Sequence, residues 1–254
     1  MPFMDQLKGR HAVVTGGSRG LGRVIADKLA QAGASIAILD LPQAIEQSRR
    51  PEDWMAYPVD LSRSDCANTL AGIANAMEKV DIVVANAGVV PPWRGMRELH
   101  PVEWQNVMSI NVWGVAATLG AFAPALARSR HGSGVVMASI NGYKAHAKQV
   151  LYTASKHAVI GVMRAAALDM GVDGTRINAI APGPIATDAL VSRLASRHEN
   201  GGPSVEAALA SMAADTAVGR MATEDQVADV ALWLASDLSG GVTGTVVPVE
   251  SGLG

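Results

Sequence analysis

The sequence has little that would indicate an extracellular, membrane or nucleic-acid-binding protein. A single cysteine, Cys66, excludes an internal disulfide and fits a reducing compartment. Because 21 basic residues nearly balance 23 acidic ones and no dense Lys/Arg block occurs, nothing points to nucleic acid or an anionic membrane surface. Residues 1–11 lack the apolar core of a signal peptide, and no run approaches about 18 uncharged apolar residues. We therefore expect a soluble, cytoplasmic protein.

Metal-binding patterns are also missing. The histidines show no ligand spacing with cysteine or carboxylates, so we expect no metal site. They are His11, His100, His131, His146, His157 and His198.

What the sequence does contain is a regular alternation of strand-like and helix-like segments over 254 residues, 49% of them hydrophobic. The strand candidates are 11–16, 34–40, 55–60, 81–86, 134–139, 176–183 and 244–250. The helix candidates are 21–32, 63–78, 101–128, 152–170 and 224–236. This order predicts an α/β fold, a doubly wound (Rossmann-type) and mainly parallel seven-stranded sheet with helices on both faces.

Tyr152 and Lys156 form the chemical centre of the sequence. They lie four residues apart on a predicted helix, so their Cβ atoms are about 5–6 Å apart on one face. The ammonium is predicted to favour the phenolate and to lower the tyrosine pKa from about 10 towards a value useful for acid–base catalysis. Ser139 ends a buried-strand pattern thirteen residues before Tyr152. It therefore lies at the carboxyl edge of the sheet, where ligands bind in open α/β folds.

A glycine-rich turn joins the first strand to the first helix. Gly16, Gly20 and Gly22 permit a tight turn, close approach of backbone to a phosphate, and close packing of helix on strand. The helix N-terminus then offers free N–H groups to a pyrophosphate. Asp40 closes the second strand 24 residues after Gly16, where a carboxylate can accept hydrogen bonds from ribose hydroxyls. A turn without a ligand and a solvated carboxylate are the alternative interpretations.

Ser139, Tyr152 and Lys156, with the Thr-Gly-x-x-x-Gly-x-Gly spacing of the glycine turn, resemble the short-chain dehydrogenase/reductase family in its single-domain form. The resemblance covers almost the whole chain. It implies an oxidoreductase that moves a hydride between a nicotinamide cofactor and a CH–OH group. It also implies a catalytic tetrad that includes Asn111, an asparagine expected to perturb its helix and to support a proton relay.

The resemblance gives the other tetrad members their roles. Ser139 hydrogen-bonds the substrate oxygen, and Tyr152 takes or gives the proton. Lys156 lowers the tyrosine pKa and bonds the nicotinamide ribose.

Cofactor contacts are implied after several strands. In the family, the residues at the positions of Asp60 and Leu61 contact the adenine. The small residues within 86–88 would let the cofactor lie against the backbone. The stretch 182–187 would close over the nicotinamide, with Ile185 and Thr187 contacting its carboxamide. Asn86 has a structural alternative. The expected cofactor-binding residues are Gly16, Ser18, Arg19, Gly20, Leu21, Gly22, Asp40, Asp60, Leu61, Asn86, Ala87, Gly88, Tyr152, Lys156, Pro182, Gly183, Ile185 and Thr187.

NAD is expected in preference to NADP. The carboxylate of Asp40 would repel a 2′-phosphate, and Leu41 and Pro42 supply no basic partner for one. Arg19 is the opposing signal, because a basic residue in the glycine turn can accompany NADP in the family.

The segment 187–221 is the one shift in composition, rich in alanine, serine and polar residues and without a strand pattern. A domain boundary is possible, but an excursion of one or two helices over the active site is favoured, within a single domain of residues 1–254.

Candidate pocket walls are 90–93, 141–149 and 187–221. They include no Arg/Lys cluster that demands a polyanionic substrate. We expect a modest secondary alcohol or ketone, cyclic or a sugar derivative.

Other functions stay open. One is an NADPH-dependent 3-oxoacyl-thioester reductase, which Asp40 opposes. Another is a nucleotide-sensing protein without catalysis, which the complete tetrad opposes. A sugar-nucleotide epimerase would share the tyrosine and lysine but needs a longer C-terminal domain.

The resemblance further implies a homotetramer that assembles through 101–128, 152–170 and the C-terminal segment. In that segment Glu250-Ser251-Gly252 replaces the Asp-Gly-Gly that is frequent in the family, which leaves the packing of the tail in doubt.

Overall fold

The computed structural model describes residues 5–253; residues 1–4, which begin the stretch examined for a signal core, and Gly254 lie outside the described residues. Within this range seven strands form one sheet in the order β3-β2-β1-β4-β5-β6-β7, with every neighbouring pair parallel. The strands are β1 His11–Thr15, β2 Ser35–Asp40, β3 Met55–Pro58, β4 Ile82–Ala85, β5 Ser133–Met137, β6 Arg176–Pro182 and β7 Val246–Val249. The predicted doubly wound sheet is confirmed.

Helices cover both faces of this sheet. One face carries α1 and α9, where Ile25 and Leu234 share a core with Val14. On the other face Phe122 of α5 packs with Val83, and Met163 of α6 belongs to the adjoining core. The helices within the described residues are α1 Gly20–Gln31, α2 Pro42–Gln47, α3 Cys66–Ala76, α4 Pro101–Met108, α5 Gly114–Arg128, α6 Val150–Asp169, α7 Asp188–Glu199, α8 Val205–Ala214 and α9 Glu224–Ala235.

The strand order reverses between β1 and β4, at the centre of the sheet. All of β4 and nearly all of β1 are buried, as expected for central strands covered on both faces. At such a reversal the connections leave in opposite directions, so the carboxyl ends of the two strands flank a crevice. The glycine turn after β1 and the loop after β4 meet there.

The helix predicted over 101–128 is interrupted. A π-helical turn spans Ser109–Trp113 between α4 and α5. Such a turn accommodates one extra residue and is frequent at functional sites. The prediction of an unbroken helix is wrong here, whereas the expected perturbation by Asn111 agrees with the position of the turn.

Two smaller differences have local causes. The helix predicted over 63–78 covers only Cys66–Ala76, because Arg63 and Asp65 bond to each other at 2.9 Å in an exposed turn that precedes it. The short α2 was not predicted. Its six residues are too few for an apolar periodicity to appear.

By length and composition, the stretch Pro101–Arg128 is long and apolar enough to cross a membrane, contrary to the expectation from the sequence. Half of its most apolar window is buried inside the protein. It packs against α3, α6 and the sheet, which is the environment of a core helix.

Two helices, α7 and α8, occupy the segment 187–221. Thr187 and Ser204 cap them by accepting hydrogen bonds from backbone N–H groups. After α8 the chain pairs with the end of the sheet, where Thr216 lies opposite Leu253 and the Ala217 N–H donates to Gly252.

The same tail contacts the loop before α6. Lys144 Nζ donates to the Leu253 carbonyl at 2.5 Å, and the Glu250 carboxylate accepts from the Leu253 N–H. The unusual tail sequence is thus packed between the loop that precedes Tyr152 and the segment after α8.

Candidate active site

The glycine turn after β1 has a geometry that other residues would not adopt. Gly16 and Gly20 have φ values of +66° and +53°, in the left-handed region. A Cβ on Gly22 would lie 2.1 Å from the Gly16 carbonyl oxygen. The helix that follows begins without a side-chain cap, so its first N–H groups face the turn unpaired by a side chain.

Asp40 is fixed against this turn. One carboxylate oxygen accepts from the Ser18 N–H at 3.0 Å and the other from the Leu41 N–H at 2.9 Å. Each oxygen keeps a lone pair for a further donor, such as a ribose hydroxyl. The Arg19 side chain is exposed beside this arrangement.

The turn also fits a phosphate-containing cofactor. The Ser18 hydroxyl is buried and has no hydrogen-bond partner among the described residues. A buried hydroxyl without a partner is unfavourable, and a phosphate oxygen would satisfy it. The free N–H groups of α1 supply further donors at the same place.

The loop after β4 is tied to β1. Asn86 Nδ2 donates to the Thr15 carbonyl at 3.0 Å, and the N–H groups of Asn86 and Ala87 both donate to Thr15 Oγ1 at 3.0 Å. The side chain of Asn86 is therefore structural, the alternative recognised from the sequence. Thr15, which organises this junction, was not singled out from the sequence, although it precedes the glycine turn directly.

Asp60 and Leu61 follow β3 as predicted. Asp60 accepts from the N–H and the hydroxyl of Ser62 at 2.9 and 2.6 Å. Leu61 is buried, and its side chain lies so close to Gly114 that a Cβ there would touch it. The side chain of Leu61 therefore belongs to the core, and only its backbone faces the edge of the sheet.

The stretch after β6 is closely packed. A Cβ on Gly183 would lie 2.7 Å from the Glu250 Cβ, so the two chain segments touch. Ile185 is buried in the core beneath α1 and α9, and Leu21 packs on the same core. Thr187 Oγ1 accepts from the Leu190 N–H at 3.2 Å, which leaves its hydroxyl proton to donate elsewhere.

Asn111 holds three elements together. It is fully buried in the π-helical turn, where Oδ1 accepts from the Val89 N–H at 2.8 Å and Nδ2 donates to the Val89 carbonyl at 2.9 Å. Nδ2 also contacts Ser155 Oγ on α6 at 3.2 Å. A Cβ on Gly88 would lie 3.2 Å from Oδ1, so the backbone passes close to the amide.

Ser139 and Tyr152 meet, as the sequence predicts. The Ser139 hydroxyl lies close enough to the phenol to lower the tyrosine pKa against the effect of burial. Ser139 Oγ also accepts from the Asn141 N–H at 3.2 Å, which leaves its proton free to be donated. The Asn141 amide fixes the loop by donating to Gln149 and Thr153 at 2.9 and 3.1 Å.

Lys156 lies beneath this pair. Its side chain is buried, its ammonium donates to the Met137 carbonyl at 2.7 Å, and it lies 5.8 Å from the centre of the Tyr152 ring. Burial lowers the pKa of Lys156 from 10.5 to about 8.

The predicted lowering of the Tyr152 pKa by Lys156 is not what the structure shows. Burial of the phenol raises its pKa above the ordinary value, although the nearby Ser139 hydroxyl and the charge of Arg193 act in the opposite direction. The ammonium stands over the ring and is occupied by the Met137 carbonyl, so desolvation outweighs its attraction for a phenolate.

Arg193 on α7 was missed by the sequence analysis. It is partly buried, and its charge acts on Tyr152. The sequence feature that could have indicated it is the Thr187 cap. A helix that starts there places Leu190, Arg193 and Leu194 on one face.

Comparisons with known proteins follow the whole chain. A family model described as enoyl-(acyl carrier protein) reductase matches residues 16–254. The short chain dehydrogenase/reductase astE of Aspergillus oryzae is 32% identical over 97% of this chain and 95% of its own. Cis-4-hydroxycyclohexanecarboxylate dehydrogenase of Sinomonas cyclohexanicum is 32% identical over 96% of both chains. The structure of carveol dehydrogenase from Mycobacterium avium in complex with NAD is 28% identical, covers 98% of this chain and 99% of its own, and has a TM-score of 0.87.

Proposed function

Because the chain belongs to the short-chain dehydrogenase/reductase family, whose members act on alcohols and ketones, we propose that it transfers a hydride between NAD(H) and a secondary alcohol or the matching ketone. The observation that carries this proposal is the proximity of the Ser139 hydroxyl and the Tyr152 phenol above the buried Lys156. The two hydroxyls converge on one point, where a substrate oxygen can be held and can exchange a proton.

The proton chemistry follows from the hydrogen bonds. Bound nicotinamide supplies the hydride chemistry. The Tyr152 phenol, with a raised pKa, is protonated at neutral pH and is ready to donate to a carbonyl oxygen during reduction. In oxidation it takes the hydroxyl proton. The free proton of Ser139 orients the substrate oxygen, while Lys156 keeps two ammonium protons beyond its bond to Met137 for the nicotinamide ribose.

Asn111 is proposed as a positioning residue of the tetrad. Its amide is fully used by Val89 and Ser155, so it acts by fixing the π-helical turn between the loop after β4 and the helix that carries Tyr152 and Lys156.

NAD is the proposed cofactor. Asp40 holds a negative charge against the glycine turn, where a 2′-phosphate would be repelled and ribose hydroxyls accepted. The carveol dehydrogenase relative is in complex with NAD. Arg19 is the feature that would favour NADP.

The direct test is a fluorescence titration with NADH and NADPH, followed by turnover of a panel of secondary alcohols and ketones. Tighter binding of NADH with turnover on the panel would support the proposal. Tighter binding of NADPH would contradict the cofactor assignment, and binding of NADH without turnover of any alcohol or ketone would contradict the dehydrogenase activity.

A second candidate is an NADPH-dependent reductase of 3-oxoacyl thioesters, which the description of the matching family model favours. Asp40 opposes it. Turnover of a 3-oxoacyl thioester with NADPH at rates above those on simple ketones would establish this alternative. A nucleotide-sensing protein would bind the cofactor and would turn over neither the thioester nor the ketones.

We also propose a single domain, located in the cytoplasm, that assembles as a homotetramer. Exposed apolar side chains on the helices that the family uses for assembly support this: Val102 on α4, Trp113 in the π-helical turn and Leu168 on α6, which is 78% exposed. The segment 187–221 is proposed to form one wall of the substrate site.

A further inference from the structure

The helix α7 packs on the loop after β4, which lines the cleft that leads to Tyr152. Its apolar residues Leu190 and Leu194 are buried against Trp93 in the loop after β4. That loop, over 90–94, lines a narrow cleft together with Lys148 to Tyr152. The helix is therefore seated on a segment that faces the catalytic tyrosine.

Arg193 lies on α7 between these two leucines. Its Nε donates to the Ala189 carbonyl at 3.3 Å, so the side chain runs back along the helix towards Thr187, where the stretch 182–187 ends. It forms no ion pair within residues 5–253. The one titratable group that acts on its charge is the Tyr152 phenol.

The other cations that line the cleft differ from Arg193, because Lys148 is exposed to solvent and Arg94 is paired. Arg94, which lines the cleft, pairs with Glu103 at 2.9 Å. Of the two acidic residues on α7, Asp188 acts on Glu224, and neither Asp188 nor Glu199 acts on Arg193. The guanidinium of Arg193 is thus a partly buried cation that acts on Tyr152 and for which the described part of the chain supplies no carboxylate.

A partly buried cation without a counter-charge is unfavourable, and burial indeed lowers the pKa of Arg193. After the bond from Nε, four N–H groups of the guanidinium fork remain, and their planar geometry matches a carboxylate in a bidentate arrangement. Such a carboxylate has to arrive with the ligand.

Building on the function proposed above, we propose that Arg193 binds a carboxylate of the substrate, and that the substrates are hydroxy acids and their oxo-acid counterparts. The substrate then carries its reacting CH–OH group at Ser139 and Tyr152 and its carboxylate at α7. This makes Arg193 a specificity-determining residue. It also refines the expectation of an uncharged modest alcohol, which rested on the absence of a basic cluster.

The test pairs acids with neutral isosteres. Saturated linear and cyclic hydroxy acids, with one to four carbons between hydroxyl and carboxylate, are compared with the corresponding carboxamides as substrates with NAD. The wild-type protein should prefer at least one acid over its amide. Arg193→Gln should lower kcat/KM for that acid about 10- to 100-fold, the loss expected for a charge-assisted hydrogen bond, while the amide changes less than about 3-fold.

Two further variants separate recognition from general effects. Arg193→Lys should recover part of the preference for the acid, because it restores the charge without the bidentate geometry. Arg197→Gln, one turn further along α7, removes an equal charge from a residue that instead stacks over Trp93 at 4.9 Å, and it should keep the preference. If Arg193→Gln lowers acid and amide equally, or if the wild-type protein turns over neutral alcohols without preferring any acid, the proposal is overturned while the dehydrogenase function stands.

A binding readout distinguishes failure of the function itself. Cyclohexanecarboxylate should raise the Tm of the NADH complex of the wild-type protein and of Arg197→Gln, but not of Arg193→Gln. If this holds although no alcohol is turned over, the dehydrogenase function fails and the carboxylate site stands. If the acid stabilises none of the proteins and no acid is preferred, the site is refuted.

Discussion

At the scale of single residues, the pKa values at the site depend on burial as much as on neighbours. Burial raises the pKa of Tyr152 and lowers that of Lys156 to about 8, because each loses water around its charged form. Both groups are therefore closer to neutral than their spacing alone suggests. The nearby Ser139 hydroxyl and the charge of Arg193 are what draw the phenol back towards ionisation.

Tyr152→Phe should lower turnover by about 10²- to 10⁴-fold, since the phenyl ring cannot exchange a proton with the substrate oxygen. The Kd for NADH should change little, which a fluorescence titration measures beside the steady-state rate. Tyr57→Phe, which removes a phenol hydroxyl from the edge strand β3, is the matched control and should stay active. Retention of most turnover by Tyr152→Phe would remove the tyrosine from the proposed mechanism.

Asp40→Ala should weaken NADH binding about 10- to 100-fold, the loss expected for hydrogen bonds to a charged group, and should narrow the difference between NADH and NADPH. The two Kd values measured for one protein preparation give the ratio directly. Glu46→Ala removes an equal charge from the exposed face of α2 and should leave the ratio as it is. An unchanged ratio in Asp40→Ala would mean that another group selects the cofactor.

The residues of the site were predictable to different degrees. Ser139, Tyr152 and Lys156 come together as expected, because strand ends and an i, i+4 spacing are local properties of the sequence. The direction of the tyrosine pKa shift was wrong, since the desolvation of a phenol depends on the chain segments that fold over it. Arg193 was missed for the same reason, because it approaches Tyr152 from a helix about 40 residues further along the chain.

At the scale of elements, two close approaches define the crevice. Gly22 lets α1 descend onto the Gly16 carbonyl, and the π-helical turn brings Asn111 against Val89 and α6. The first contact leaves no room for a side chain at position 22, and the second depends on the hydrogen bonds of Asn111. Both α1 and the π-helical turn are therefore held at fixed distances from the carboxyl edge of the sheet.

Gly22→Ala should lower the free energy of unfolding by about 3 kcal/mol or more, because its Cβ would overlap the Gly16 carbonyl and the Asn86 amide. Gly120→Ala provides a matched control in an exposed part of α5, where a Cβ would meet nothing within 4 Å. That change should raise the free energy of unfolding by about 0.5–1 kcal/mol. Urea unfolding of both variants measures the difference, and equal values for the two would contradict the packing described for Gly22.

The elements themselves followed from the sequence more closely than their internal details did. All seven strands were predicted, because each is an apolar run bounded by polar or glycine residues. The π-helical turn in 101–128 was not, since the insertion of one residue changes hydrogen bonding without disturbing the apolar pattern. The order of the strands in the sheet likewise depends on crossover handedness and not on the composition of any strand.

At the scale of the whole molecule, the side of the sheet opposite the site is held by a buried carboxylate. Asp81, at the start of β4, accepts from the Ser129 hydroxyl at 2.5 Å and from the His11 N–H at 2.8 Å, and Lys79 lies 3.4 Å away. Burial alone would raise its pKa, but these hydrogen bonds and the lysine charge outweigh burial and lower it.

Asp81 should therefore stabilise the fold at neutral pH and lose that effect in acid. A carboxyl whose folded pKa is depressed stabilises fully above its unfolded pKa of about 3.9 and progressively less as the pH falls through the folded value. Asp81→Asn should lower the free energy of unfolding at pH 7 by about 1–3 kcal/mol.

The difference in the free energy of unfolding between Asp81→Asn and the wild-type protein should shrink as the pH is lowered from 5 to about 3. Urea unfolding at each pH measures this difference. Asp53→Asn, an exposed carboxylate, is the control and should change stability little at any pH. A difference that stays constant with pH would show that the charge of Asp81 is not what stabilises this corner of the sheet.

The bond between Asp40 and the Ser18 N–H has a consequence for the thermodynamics of recognition. It joins the ribose end of the site to the phosphate end before any cofactor is present. The conformational entropy of ordering these segments is thus lost when the chain folds and not when the dinucleotide arrives. Cofactor association should accordingly be rapid and nearly rigid in this half of the protein, with slower rearrangements confined to the substrate half.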